Sequence, residues 1–321
     1  MMRIRMRISH RRKVRPKRLR HNDTIGIVAP ASSFDRENFK RGVSVLRRLG
    51  YKVVYERAIF SKYWSKPGHN EQRAHQINRM FADNRIKAIL CAKAGCGSTG
   101  IIPYLDKDVI RAHPKIFVGY SDITILLLYL QAAANMVVFH GPVVSGEMYE
   151  DMNPATMDYL LRLITQPHAL GRITFPSLRY IKPGRATGML VGGNISLIVE
   201  AIGTPFEIDT DNKILFLEEI GEDLEVITGY FERLKRSGAF KKIRGLIFGR
   251  MVDCFEDLDP QEGIISLIHR ELADLAVPVL FGFPSGHTQS REGLHVTLPF
   301  GTEVSIDSDN LSLLIEQAAV K

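Results

Sequence analysis

Cysteine is scarce in this chain, occurring three times in 321 residues at Cys91, Cys96 and Cys254. An odd and sparse set does not make a disulfide framework, and the Cys91–Cys96 pair lacks the second ligand pair that a structural zinc site needs. Reducing surroundings are expected. Long hydrophobic runs are missing as well: no segment approaches the ~20 consecutive apolar residues of a membrane-spanning helix. With 45% hydrophobic and 24% charged residues, the composition is that of a soluble globular protein. No internal repeat is visible, and low complexity is confined to the amino terminus.

Acidic residues are absent from residues 1–20 (MMRIRMRISHRRKVRPKRLR), which hold ten of the 43 basic residues and leave 33 basic against 35 acidic residues in the remainder. The net charge of +8 therefore belongs to an arm and not to a folded face. Such a block binds nucleic acid or anionic lipid by counterion release, or is simply unstructured. Residues 1–21 are expected to be a basic, disordered arm. Arg11-Arg12 resembles a twin-arginine signal, but no long apolar region follows closely. IGIVAPA is short for a signal core and reads as a first buried strand, so a cytoplasmic protein is expected.

What the chain does contain is alternation. TIGIVAP (24–30), YKVVYE (51–56), IKAILCA (86–92) and KIFVGY (115–120) are apolar on both faces, as strands of a parallel sheet must be. Between them, Phe39, Val43 and Leu46, and then Ala74, Ile77 and Phe81, mark single buried helix faces. The pattern predicts an α/β architecture: a flavodoxin-like or Rossmann-like domain over 22–150, with helices on both sides of a parallel sheet. Pro154, Pro167, Pro176, Pro183 and Gly184 punctuate 151–185, which reads as a linker. A smaller α/β domain with a β-rich, barrel-like core is expected over 186–321. Its strands are ATGMLVGG, KILFLEE, IRGLIFGRM and VPVLFG, its helices lie near 194–203, 223–237 and 260–275, and GLHVTLP and TEVSID close it.

Ligands of such sheets bind beyond the carboxyl ends of strands. Two loops lie there, KAGCGSTG (93–100) and YSDIT (120–124). Ser121 stands between a strand and a helix, where a serine either caps the first helical turn or is held on a tight bend as a nucleophile. G-Y-S-D lacks the second glycine of a G-x-S-x-G elbow, so the motif leaves both readings open. His287 sits in the loop FGFPSGHTQSREG (281–293) directly after an apolar strand, as a surface residue or a base. Glu218 and Glu219 end the strand in KILFLEEIGED (213–223), as solvated acids or as the orienter of a histidine. Serine, glutamate and histidine in this order supply nucleophile, orienting acid and general base.

The blocks GYSDIT (119–124), FHGPV (139–143), GGNISLI (192–198), ILFLEEIGED (214–223), FERLKRSGAF (231–240) and SGHT (285–288) resemble the LD-carboxypeptidase family of serine peptidases, which also contains the peptidases conferring immunity to microcin C. The similarity runs from about residue 22 to the end. It implies a Ser-His-Glu enzyme with its nucleophile on the amino-terminal domain, its acid and histidine on the carboxyl-terminal domain, and the site in the cleft between them. By motif these are Ser121, Glu218 and His287. Strand alternation sends Glu218 and Glu219 to opposite faces, and Glu218 matches the first acid of the family's L-F-L-E block. Oxyanion donors are expected in the backbone amides of Gly95 and Asp122. No metal or organic cofactor is required, and a homodimer is implied by the resemblance.

Where the family commonly reads R-G-G-Y-G, this chain has Lys93-Ala94-Gly95-Cys96-Gly97, which keeps the glycines and changes the side chains available to a substrate. GGN (192–194) reads equally as part of the cleft or as a turn and cap. The expected activity is removal of the terminal D-alanine from murein tetrapeptides during cell-wall recycling. Its rivals are cleavage of a peptidyl or aminoacyl nucleotide of the microcin C type, a thiol mechanism at Cys96, and nucleic-acid binding by the arm on a dead body.

Overall fold

The computed structural model describes residues 12–60, 68–149, 153–255, 259–288 and 293–321. The four expected strands form as β1 (Thr24–Val28), β2 (Lys52–Val54), β3 (Ile86–Cys91) and β4 (Ile116–Gly119), joined in parallel by β5 (Val138–His140). Their order, β2-β1-β3-β4-β5, is the flavodoxin-like one, with its topological switch between β1 and β3. The helices between them are α1 (Arg36–Arg48), α2 (His69–Ala82), α3 (Lys107–Ala112) and α4 (Thr124–Ala134). In α1 the Asp35 carboxylate caps the start by accepting from Asn38 N, and Phe39, Val43 and Leu46 are buried as their spacing predicts. The residues of α4 are apolar on every side and nearly all buried. This helix is wedged between the first sheet and the second, which explains the lack of a polar face.

After α5 (Pro154–Thr165), the chain builds a second sheet from β6 (Gly171–Thr174), β7 (Arg179–Lys182), β8 (Arg185–Asn194), β9 (Lys213–Ile220), β10 (Gly245–Val252) and β11 (Val279–Phe281). Helices α6 (Ile195–Glu200), α7 (Leu224–Ser237) and α8 (Pro260–Glu271) are interleaved with them. The strand β12 (Leu298–Phe300) crosses back to the first sheet and pairs antiparallel with β5. Finally β13 (Glu303–Asp307) and β14 (Ser312–Ile315) complete the second sheet in the order β6-β14-β13-β8-β9-β10-β11-β7. Its two edges, β6 and β7, are consecutive in the chain, and the short connection between them spans at most about 18 Å. The sheet must therefore curl, as a barrel-like core does, but among the described residues no ladder joins β6 to β7 and the barrel is not closed.

Two expectations are corrected. Residues 12–21 of the basic arm are not disordered: Val14 bridges Met136, Leu19 is buried and donates its N–H to Ile164 O, and Arg18 and Pro16 exchange backbone hydrogen bonds with Lys321. One buried leucine, one isolated bridge and a pair of backbone hydrogen bonds to Lys321 anchor this stretch despite its charge; residues 1–11 lie outside the described residues. The stretch 151–185, expected as a linker, carries α5 and both edge strands of the second sheet. Pro154 occupies the first turn of α5, where its missing N–H costs nothing, behind the Asn153 cap on Ala155 N. No helix among the described residues is long and apolar enough to cross a membrane.

Candidate active site

Ser121 follows β4 directly, with a left-handed backbone (φ 59°), an uncommon conformation for a non-glycine residue and one that marks a tight turn. Its hydroxyl does not cap the helix. The cap positions of the short 3₁₀ turn and of α4 are Tyr120 and Ile123, and neither is capped by a side chain. Instead Ser121 Oγ lies 3.0 Å from His287 Nε2. His287 Nδ1 lies 2.8 Å from Glu218 Oε2, and the same oxygen also accepts the His287 backbone N–H at 3.3 Å. An ionised carboxylate only accepts, so Nδ1 carries the ring proton and Nε2 is left to accept from the serine hydroxyl. Gly286 makes the approach close enough: it has φ 98°, and a Cβ there would sit 2.5 Å from Glu218 Oε2.

Glu218 is fully buried and Ser121 is 8% exposed. Burial pushes the Glu218 carboxyl up, but the charge and hydrogen bonds of His287 outweigh it and hold the group below the ordinary carboxylate range. Burial likewise pushes His287 down, while the Glu218 charge and hydrogen bond lift it above the ordinary imidazole value of 6.5. A base works only when neutral, so if His287 acts as one, activity falls as the pH drops through the raised imidazole value. The kcat/KM profile is expected to rise along an acid limb centred above pH 6.5, and Glu218→Gln is expected to move that limb down. A limb unmoved by Glu218→Gln would separate the carboxylate from the imidazole.

Glu219 faces the other way, as alternation requires. Its Oε1 accepts from Asn194 Nδ2 (2.6 Å) and Ile220 N (3.0 Å), and its Oε2 from Ser196 N (2.9 Å). Gly192 and Gly193 of GGN lie at the end of β8, and Asn194 caps α6 by accepting from Leu197 N. Gly193 adds a contact with the nucleophile's helix, since a Cβ there would lie 2.5 Å from Thr124 Cγ2.

The loop 93–100 is tied to the Ser121 turn by Asp122, whose Oδ2 accepts from Ser98 N (2.9 Å) while its carbonyl accepts from Ser98 Oγ (2.6 Å). Arg73 of α2 braces the loops after β1 and β3, donating to Pro30 O at 2.6 Å and Gly97 O at 3.3 Å. Gly95 and Gly97 have φ 118° and 108°, and a Cβ on Gly95 would collide with Ser32. The backbone amides of Gly95 and Asp122 donate to no acceptor among the described residues. Cys96 is exposed and its thiol lies 3.6 Å from Ser32 Oγ, with His287 engaged on Ser121, so the thiol reading finds no base. Among the described residues no three His, Cys, Asp or Glu side chains group as metal ligands.

Sequence reasoning missed Tyr120 and Glu147. The Tyr120 ring packs edge-on against His287, centroids 5.0 Å apart, and its hydroxyl donates to Glu147 Oε1 at 2.6 Å. Glu147 Oε2 in turn accepts from Val143 N at 3.0 Å, which fixes the loop after β5. Tyr120 lies inside the GYSDIT block, which drew attention to Ser121 alone, and Glu147 lies just beyond FHGPV.

Residues 25–141 match the model of the LD-carboxypeptidase N-terminal domain, and residues 187–306 match that of the LD-carboxypeptidase C-terminal domain. The chain belongs to the LD-carboxypeptidase family. As a member of that family it is a peptidase, a hydrolase of the serine type. A probable murein peptide carboxypeptidase of Bacillus subtilis is 32% identical over 94% of both chains. The microcin C7 self-immunity protein MccF of Escherichia coli is 27% identical over 92% of this chain and 93% of its own. Among solved structures, a muramoyltetrapeptide carboxypeptidase from Oxalobacter formigenes superposes with a TM-score of 0.77 at 25% identity, covering 91% of this chain and 97% of that one. These LD-carboxypeptidase relatives are matched nearly end to end.

Proposed function

We propose that this enzyme hydrolyses the amide bond before the terminal D-alanine of murein tetrapeptides through a Ser121-His287-Glu218 triad. The observation that carries the reading is the hydrogen-bonded chain running from Ser121 through His287 to Glu218, which joins residues 166 and 69 positions apart in sequence. Such a chain has little structural reason to exist at a strained turn. We assign the nucleophile to an amino-terminal domain over 22–150, and the acid and base to a carboxyl-terminal domain over 186–321.

His287 Nε2 takes the hydroxyl proton as Ser121 Oγ attacks the amide carbonyl carbon. Negative charge collects on the former carbonyl oxygen, where the free N–H groups of Gly95 and Asp122 are the candidate donors. Collapse of the tetrahedral intermediate breaks the C–N bond, and His287 gives its proton to the departing D-alanine amine. Water, deprotonated by His287, then attacks the acyl ester and releases Ser121. Throughout, Glu218 holds Nδ1–H and stabilises the transient imidazolium.

The murein substrate is supported by the Bacillus subtilis and Oxalobacter formigenes relatives. The MccF relative favours a second reading, cleavage of the amide in an aminoacyl or peptidyl nucleotide. Incubation with an L,D-tetrapeptide and, separately, with an aminoacyl sulfamoyl adenosine tells them apart. Release of D-alanine from the first is expected; turnover of the nucleotide alone would transfer the enzyme to the second substrate class. A cytoplasmic homodimer goes with the first reading, and Cys91, Cys96 and Cys254, all free, suit a reducing compartment.

A further inference from the structure

Behind the triad acid lies a group of buried polar atoms that the hydrolytic steps do not use. Glu218 Oε2 serves His287, but Oε1 has no partner among the described residues. The same is true of both ring nitrogens of His140, both of His295, Ser285 Oγ and Thr297 Oγ1, all fully buried. Buried polar atoms without partners are rare in native proteins and costly singly, so a concentration around one carboxylate calls for a reason.

These atoms belong together. The rings of His140 and His295 are 5.7 Å apart, and Tyr120 touches both, with centroids 6.0 and 4.6 Å away, as well as His287. His140 packs 5.3 Å from Phe216, which shares a sheet face with Glu218 by alternation along β9. Ser285 precedes the glycine that abuts the Glu218 carboxylate. Thr297 lies against Gly141, next to His140, where a Cβ would be 2.8 Å from its Oγ1. The ladder of β5 with β12 pairs His140 with Leu298 and so fixes its position.

We propose that His140 is a positioning residue of the active site, donating a ring N–H toward Glu218 Oε1 through one ordered water shared with Ser285, His295 and Thr297. The carboxylate that orients His287 with one oxygen is thereby anchored by the other. Burial lowers the imidazole of His140 to about 4, with Glu218 pulling it up and His287 pushing it down, so the ring is neutral at neutral pH and has one proton to donate. The ionisable groups facing it are Glu218 from β9, His287 and His295 from the carboxyl-terminal loop, and Tyr120 from the turn after β4, whose hydroxyl is engaged by Glu147. His295 is pushed well below its ordinary value by burial, then by His140, His287 and Arg250. A neutral pair of imidazoles and two hydroxyls is a fitting lining for one or two buried waters.

The proposal rests on the Ser-His-Glu reading. It is tested with His140→Phe, which keeps a ring and removes both nitrogens, and His140→Gln, which restores an N–H donor. The substrate is the L,D-tetrapeptide, or the aminoacyl sulfamoyl adenosine if the wild type turns over only that. His140→Phe is expected to lower kcat about 10- to 100-fold with KM within about twofold, the range seen when a partner of a catalytic side chain is removed. Its acid limb should move to higher pH, because an unanchored carboxylate lets the Glu218–His287 pair take up its inactivating proton sooner. His140→Gln should recover most of kcat. A folded His140→Phe with unchanged kcat and acid limb overturns the proposal. If that variant does not fold, ¹⁵N-histidine spectra decide: a His140 ring N–H signal, assigned by its loss in His140→Gln, has to shift on Glu218→Gln, and an unmoved signal overturns it. Activity surviving in Ser121→Ala would instead remove the triad itself, so the two failures are distinct.

Discussion

Ser121→Ala is expected to abolish turnover by roughly four to six orders of magnitude while leaving the melting temperature close to that of the parent enzyme. The two halves of this expectation have separate origins. Loss of turnover follows on the proposed reading because the hydroxyl would be the atom that bonds to the substrate carbon, and it is the group that His287 Nε2 meets at 3.0 Å. Retention of stability follows because the hydroxyl makes no cap: no backbone N–H of the following turn donates to it. An N-cap serine would give the opposite pattern, about 1 kcal/mol of stability lost and activity kept. Steady-state rates and thermal melts on the same preparation check both, and a variant within tenfold of wild-type activity would return Ser121 to a structural role.

The second large effect separates two adjacent acids. Glu218→Gln leaves the volume nearly unchanged but removes the charge that fixes the His287 tautomer and stabilises its protonated form; kcat is expected to fall about 10³- to 10⁴-fold. Glu219→Gln should leave kcat near wild type, because its oxygens are engaged by Asn194, Ser196 and Ile220 on the other face of β9. Its cost is structural, about 1–3 kcal/mol, since the amide nitrogen of the new side chain must face a donor. Rates and denaturant melts of the pair should therefore show one variant slow and stable, the other active and weakened. The reverse assignment would mean that alternation along β9 does not decide which acid meets the histidine.

Much of this arrangement could be read before any coordinates. The strands β1, β3 and β4 announce themselves because a parallel strand buried on both faces is a continuous apolar run, and α1 and α2 because each buries one stripe. The pairing of Ser121 with His287, and the preference for Glu218, were legible from blocks in a characteristic order and from alternation. Other parts had no local signal. The strands β6 and β7 are four residues each and exist because β14 and β11 supply their hydrogen bonds; the prolines and glycine around them describe turns as well as a linker. Residues 12–21 are dominated by charge, and they are held by the buried Leu19, the Val14–Met136 bridge and backbone hydrogen bonds to Lys321, which no local pattern announces. His140 and His295 come together, ring centroids 5.7 Å apart, because β12 returns to pair with β5, a fact of topology that neither segment carries alone.

That return of β12 has a consequence for how a substrate reaches the serine. The last fifth of the polypeptide supplies the rim of the first sheet, and Lys321 is laced to Pro16 and Arg18, so the two halves are threaded through one another and not merely apposed. A clam-shell opening about the 151–185 region would tear both seams. Separating Ser121 from His287 by such a motion would therefore cost those backbone hydrogen bonds as well.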